Sequence, residues 1–291
     1  MPHNLPSMLY NSAEPTTLRI ISLSTIPPRF AKLAPTLNSL IKQNGVVDEI
    51  RLYVPKRYRR FPDYDGSLPS VPTGITIVQP EEDMGPASKV LFAARDLRGK
   101  EAQILFCDDD KVFSPNWAAQ LFAAQDERPA ECVALIGKDV PTDIARPSAF
   151  VPKAMRRRKI DLSLRARRLR HKFASMVLRL DRPKPMPSLV AEGGYVDVLQ
   201  GLGGAVVRPE FFDDIAYDIP DVIWAVDDVW LSGMLALKGI PIWLPAGLEE
   251  PRTTAAHDVA SLYLATIEGA NRAQANRRCI EYMQQHFNIW R

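Results

Sequence analysis

Gln103-Ile104-Leu105-Phe106-Cys107-Asp108-Asp109-Asp110 is an apolar run that ends in three consecutive carboxylates. A short apolar run bounded by polar residues is the pattern of an interior strand of a parallel sheet. Ligands of open α/β sheets lie beyond the carboxyl ends of such strands, so this stretch predicts an acidic cleft at its own end. Three adjacent aspartates repel one another, and keeping them ionised there requires a cation, hydrogen-bond donors or water. A divalent metal carrying a phosphate ligand meets that requirement. The structural alternative is an acidic turn that opens the next helix, with Ser114 as N-cap and Pro115 as first residue, although that helix starts several residues later.

Working outward, strands and helices alternate. Leu18 to Ser24 reads as a first strand, broken by Thr25-Ile26-Pro27-Pro28-Arg29-Phe30 before a helix from about Pro35 to Gln43 that Gly45 closes. Asp48 to Pro55 and Ile75 to Gln79 are further strands, and Gly85-Pro86-Ala87-Ser88 leads into a helix of Lys89 to Leu97. Beyond the acids come a helix of Pro115 to Gln125, a strand of Cys132 to Val140, a strand of Tyr195 to Leu199, a helix within Asp221 to Gly239 and a strand of Ile240 to Leu244. The last helix runs from about Ser261 to His286, with Phe287, Ile289 and Trp290 docking on the body. This alternation predicts an α/β fold with a mostly parallel central sheet flanked by helices.

A chain of 291 residues suits one large domain. Hydrophobic residues at 46% and charged residues at 24% exclude wholesale disorder. Residues 1–16 read as a flexible leader and 17–291 as one domain carrying an insertion at 141–194. No apolar run reaches the ~18 residues of a membrane-spanning helix, and Met1 to Asn11 lacks the basic and apolar regions of a signal peptide. A cytoplasmic location is expected. Cys107, Cys132 and Cys279 are too far apart for a zinc site and read as buried thiols. Net charge is +3, but residues 153–172 hold ten Lys or Arg against Asp161 alone, so the remainder, with 27 basic and 33 acidic residues, is acidic. Within the insertion Leu162, Leu164, Leu169, Phe173, Met176, Val177 and Leu180 recur at helical spacing among arginines, the pattern of a basic amphipathic helix.

Alternation along the strand predicts that Asp108 and Asp110 face one side and Asp109 the other. Asp227 and Asp228 open a helix, where the dipole stabilises acids whatever their role. Because consecutive helical residues diverge by about 100°, one of them, Asp228, is expected in the cleft as a general base. His257, in a short polar loop, is either structural or the imidazole of an oxygen-rich manganese site. Arg29 and Lys89 follow strand-to-helix loops where a cation can hold phosphate. The glycines of Gly201-Leu202-Gly203-Gly204 imply close backbone approach to a ligand or another strand.

Ile21 to Arg29, Gly85 to Val90, Phe106 to Asp110 and Asp227-Asp228-Val229-Trp230-Leu231-Ser232-Gly233, in this order, resemble glycosyltransferases of the GT-A fold. That resemblance spans about 18–140 and 195–260 and leaves the basic insertion uncovered. It implies transfer of a sugar from a nucleoside-diphosphate sugar, foremost a UDP-sugar, to a glycan or lipid-linked hydroxyl acceptor. It further implies Mn2+ or Mg2+ held by Asp108, Asp110 and His257, donor contacts from Thr25, Arg29, Lys89, Asp108, Asp109, Gly203 and Gly204, and catalysis by Asp228 with Asp227. Two rival readings exist. Asp108-Asp109-Asp110-Lys111-Val112 also fits the nucleophile motif of haloacid dehalogenase-type phosphatases, which place it on a first strand, whereas three strands precede it here. The basic stretch could bind a polyanion, but no recognition module supports a specific nucleic acid. An anionic membrane surface, met through residues 153–180, suits that stretch better and would put the protein on the inner face of the membrane.

Overall fold

The computed structural model describes residues 17–43, 45–157, 162–177, 184–260 and 272–291. The expected leader, the start of the last helix at Ser261, and Leu180 of the basic stretch fall outside them. Eight strands form the central sheet: β1 (Leu18–Ser24), β2 (Glu49–Tyr53), β3 (Thr76–Val78), β4 (Ala102–Phe106), β5 (Cys132–Ala134), β6 (Gly194–Val196), β7 (Ala205–Val207) and β8 (Ile242–Leu244). Their spatial order is β6-β8-β5-β7-β4-β1-β2-β3. Pairs β1–β2, β1–β4, β2–β3 and β8–β5 are parallel. The sheet is nevertheless mixed, because β7 runs antiparallel to both β4 and β5, and β6 antiparallel to β8.

Period-two burial explains the layers. Ile20, Ile104 and Phe106 face one side, with α2 (Ser88–Asp96), α5 (Asp227–Leu237) and α6 (Arg272–Phe287); Ile21, Leu23 and Leu105 face the other, with α1 (Ala34–Leu40) and α3 (Trp117–Asp126). The α4 helix (Leu162–Val177) belongs to the insertion. The chain terminus docks as expected: Trp230 meets Phe287 edge-on at 5.9 Å, and Trp290 is buried. All three cysteines are buried thiols.

Three local expectations are corrected. The strand over Cys132 to Val140 is two elements. After Ala134 the chain leaves the sheet, and Gly137–Lys138 pairs antiparallel with Val198–Leu199. The α3 helix begins at Trp117, and no side chain caps it, Ser114 instead offering its carbonyl to the Trp117 N–H at 3.1 Å. The β8 strand starts at Ile242, two residues late, because Gly239 and Pro241 complete the turn out of α5.

Antiparallel β7 positions the site. Reversing one strand between parallel neighbours brings its preceding loop, Gln200 to Gly204, to the edge where β1 and β4 end. Gly204 adopts φ +94° and ψ 144°, a region open essentially to glycine. A Cβ there would lie 2.3 Å from Cζ2 of Trp117, whose Nε1–H donates to the Gly203 carbonyl at 2.8 Å. Gly204→Ala is therefore expected to cost about 2–4 kcal/mol, strain and overpacking together. Gly99→Ala, at φ +77° with nothing within 4 Å, should cost only about 1 kcal/mol; urea denaturation of the two variants checks the difference.

Candidate active site

The three acids lie on a turn, not on the strand, since β4 ends at Phe106. Strand alternation therefore does not govern them, and the middle residue does not point away. Asp109 is the anchor. Thr25 Oγ1–H donates to its Oδ2 at 2.6 Å, Arg29 Nη1 reaches its Oδ1 at 2.5 Å, and Thr36 Oγ1–H donates to its backbone carbonyl at 2.9 Å. Pro27 and Pro28 start a 3-10 turn immediately after β1, which carries Arg29 back across the strand end. Burial pushes the Asp109 carboxyl above its ordinary value, against the opposing pull of Arg29 and Thr25, and the adjacent Asp110 and Asp108 add to the rise.

Lys89, at the start of α2 and only 5% exposed, joins the two acidic segments. Its Nζ donates to Asp108 Oδ1 at 2.6 Å and lies 2.9 Å from Asp227 Oδ2, the second an ionic contact whose angle does not make a directed hydrogen bond. Burial works against the ammonium charge, yet Asp108, Asp227 and Asp228 hold the Lys89 pKa well above normal. Burial would likewise raise Asp108; the Lys89 charge and hydrogen bond, with Arg29 and Lys111, pull it below the ordinary value.

Both acids of the α5 start line the cleft, where helix geometry leads to only one, Asp228, being expected. Asp227 is buried against Lys89, while Asp228 Oδ1 accepts from the Gly201 N–H at 2.9 Å. Ser232 Oγ–H donates to the Asp228 carbonyl at 2.6 Å and accepts from the Leu199 N–H at 3.0 Å, tying α5 to the glycine loop. Burial first, then the charges of Asp227 and Asp108, push Asp228 up to about 6; Lys89 and the Gly201 N–H oppose the shift.

His257 reaches the acids through a distant pairing, Arg252–Thr253 lying antiparallel to Lys111–Val112. Its Nδ1 is 3.1 Å from Asp110 Oδ2. The segment is pinned from the other side, Arg29 Nε–H donating to the Val259 carbonyl and Arg60 Nη2–H to that of Ala260, each at 3.0 Å. Asp110 Oδ1 is buried without a hydrogen-bond partner, its nearest cation being Lys111 Nζ at 3.6 Å.

A divalent cation fits part of this arrangement. Among the described residues no three His, Cys, Asp or Glu side chains form a ready ligand set. Two metal-binding groups do converge, the Asp110 carboxylate with its unpartnered Oδ1 and the His257 imidazole, and Mg2+-type sites commonly use one or two protein ligands with phosphate and water completing the shell. Asp108, expected beside Asp110 as a ligand, is instead committed to Lys89. Arg29 and Lys89, expected to hold phosphate, are both ion-paired with the acids. Thr25 likewise spends its hydroxyl on Asp109.

These groups line one cavity of about 450 Å³. Gly203 and Gly204 are not on its wall: they pack against Ile136 and Trp117, because the antiparallel β7 needs close approach there. The preceding Gln200 and Leu202 face the cavity, and a Cβ on Gly201 would sit 2.9 Å from Lys89 Nζ. Tyr58, Arg60, Asp83 and Trp224 also line it and were not singled out from sequence. Trp224 had a signal, an aromatic three residues before Asp227, and Gly85 at φ +59° accommodates its ring 2.8 Å from where a Cβ would be. Arg60 and Tyr58 lie in a loop without periodicity and had none.

No family model matches the chain, and no curated protein matches it. Among solved structures, one titled S. aureus TarS 1-349 covers 94% of this chain and 72% of that chain at 16% sequence identity, with a TM-score of 0.41; likeness of that degree transfers nothing to this site.

Arg29→Ala would take its cation from the buried Asp109, the pair being 12% and 4% exposed, so that the carboxyl must protonate or stay uncompensated; a loss of about 3–5 kcal/mol is expected in urea denaturation. Asp228 behaves oppositely. With its folded pKa raised above the ordinary 3.8 to about 6, its stabilising contribution is complete below the unfolded value and is lost as pH rises through 6. Asp228→Asn, fixed in the neutral form and still able to accept from Gly201, should be more stable than the parent by about 1–2 kcal/mol at pH 7.5. That advantage should vanish at pH 4, as melting curves across this range will test.

Proposed function

We propose that the protein is a metal-dependent glycosyltransferase of the GT-A type, moving a sugar from a nucleoside-diphosphate sugar, foremost a UDP-sugar, to a hydroxyl of a glycan or lipid-linked acceptor. The observation that carries this reading is the convergence, in one cavity at the carboxyl edge of β1 and β4, of Asp108 to Asp110, the Asp227-Asp228 pair and His257, segments far apart in sequence. Asp110, with its unpartnered Oδ1, and His257 beside it would hold Mn2+ or Mg2+. When bound, that ion neutralises charge developing on the diphosphate leaving group.

The chain's own groups divide the remaining work. Arg60, which stacks over Phe61 and has no carboxylate ion-pair partner among the described residues, is the cation available to the diphosphate. Lys89 holds Asp108 by one oxygen, and the side chain is 31% exposed, so its other oxygen can meet the donor sugar's hydroxyls. Asp228, ionised at neutral pH with a pKa of about 6, is matched to accept the acceptor hydroxyl's proton in an inverting transfer. A second cavity of about 210 Å³ shares Lys138, Gln200 and Leu202 with the first and continues towards Met155 and Arg156 at the base of the insertion. It supplies a route for the acceptor.

Thermal unfolding with UDP and other nucleoside diphosphates, with and without Mn2+, tests the reading. One nucleotide should stabilise the protein only with metal, by roughly 2.7 kcal/mol at a hundredfold excess over Kd, and Asp110→Ala should abolish the metal-dependent part. Equal shifts with and without metal, untouched by that substitution, would sink it. With the right donor, Asp228→Asn is expected to lower kcat by about 10²- to 10⁴-fold while leaving nucleotide stabilisation intact.

A further inference from the structure

The α4 helix is built inside out. At about 100° per residue, its partly buried positions, Leu164, Arg167, Arg168, His171, Ala174 and Ser175, form one face. That face is held by polar contacts: Arg167 pairs with Glu249 of the body at 2.6 Å, and Arg167 and Arg168 donate to the Met186 and Pro185 carbonyls within the insertion. The opposite face is apolar and open to water. Leu169, Phe173 and Met176, 70%, 61% and 71% exposed, fall within an arc of about 60°. Arg165 and Lys172 flank the arc on one side and Arg170 on the other, all exposed. A surface helix of a globular protein turns such a stripe inward. Here, seven of the twelve exposed large hydrophobics among the described residues lie between Phe150 and Val177, so the exposure is local to the insertion.

We infer that α4 is an interfacial helix that seats the protein on an anionic lipid bilayer, its apolar stripe entering the headgroup boundary and its arginines meeting lipid phosphates. Charge chooses this occupant over a second copy of the chain. The helix carries five Lys or Arg and no acid, so two copies stripe to stripe would juxtapose like charges, whereas an anionic surface attracts them. The helix is not a span: among the described residues none is long and apolar enough to cross a membrane. The second cavity opens beside the same insertion, at Met155, Arg156 and Leu189, so a seated protein would present that opening on the insertion side; this last point rests on the glycosyl-transfer reading, the seating itself does not.

Flotation of the full chain with vesicles of phosphatidylcholine alone, or with phosphatidylglycerol at about three parts in ten, tests the seating without any donor or metal. Binding to the anionic vesicles is expected to exceed neutral binding at least about tenfold and to fall as salt screens the arginines. The combined variant Leu169→Gln, Phe173→Gln and Met176→Gln alters only exposed side chains, and circular dichroism confirms its fold. It should lose at least about tenfold in vesicle affinity. Separately, Arg165→Gln with Arg170→Gln and Lys172→Gln should erase the preference for anionic lipid. Unchanged binding by the apolar variant, or equal binding to both vesicle types, would overturn the inference, as would a parent dimer in gel filtration that the apolar variant converts to monomer.

Discussion

The buried ammonium of Lys89 is the interaction on which the site depends. It belongs to α2, yet it touches Asp108 from the turn after β4 and Asp227 from the first turn of α5, 119 positions further along the chain. Without a cation at that point the two acidic segments would repel each other across a cleft largely shut off from water, and their carboxylates would protonate or separate. With it, each acid acquires a distinct electrostatic condition. Asp108 is held ionised, Asp227 is matched to the ammonium, and Asp228, offered only part of that compensation, is left near neutrality in its pKa.

Arg29 performs the parallel task for the inner acids, spanning Asp109, Asp110 and the carbonyl of Val259. The cleft is thus organised before any ligand arrives, and its acids are not equivalent. Asp109 is structural in the plain sense that both carboxylate oxygens and its carbonyl are already bonded. Asp110 keeps one buried oxygen unpartnered, an arrangement that costs stability unless something binds there. That asymmetry is what gives the metal reading its place. Lys89 and Arg29, expected to hold phosphate, are occupied by the acids, which leaves Arg60 to that role in the proposed reaction.

Much of the frame was legible because it is written in local periodicity. The strands at Leu18, Glu49 and Ala102 and the helices at Ser88 and Asp227 follow from apolar runs, prolines, glycines and paired acids, and they were placed within a few residues. The errors share one cause. Cys132 to Val140 reads as a single strand by composition, but partners far away divide it, β8 and β7 taking its first half and Val198–Leu199 the second. Asp108 to Asp110 would alternate if the strand continued, but Thr36, Thr25 and the Arg252–Thr253 pair bend it into a turn. Gly203 and Gly204 announce close backbone approach, and only the fold shows that the approaching groups are Ile136 and Trp117.

By itself the sequence determined the α/β alternation, the acid-bearing strand end, and the two-sided pattern of the basic helix, since each is set by neighbours three or four residues apart at most. Tertiary structure decided which carboxylate does what. Burial, the reach of Lys89 and Arg29, and the reversal of β7 that delivers Gly201 to Asp228 are fixed by residues dozens to hundreds of positions away. It also decided which face of α4 meets the body: periodicity gives a helix two faces, but only the contacts of Arg167 and Arg168 settle that the charged side turns inward and the apolar side stays in water.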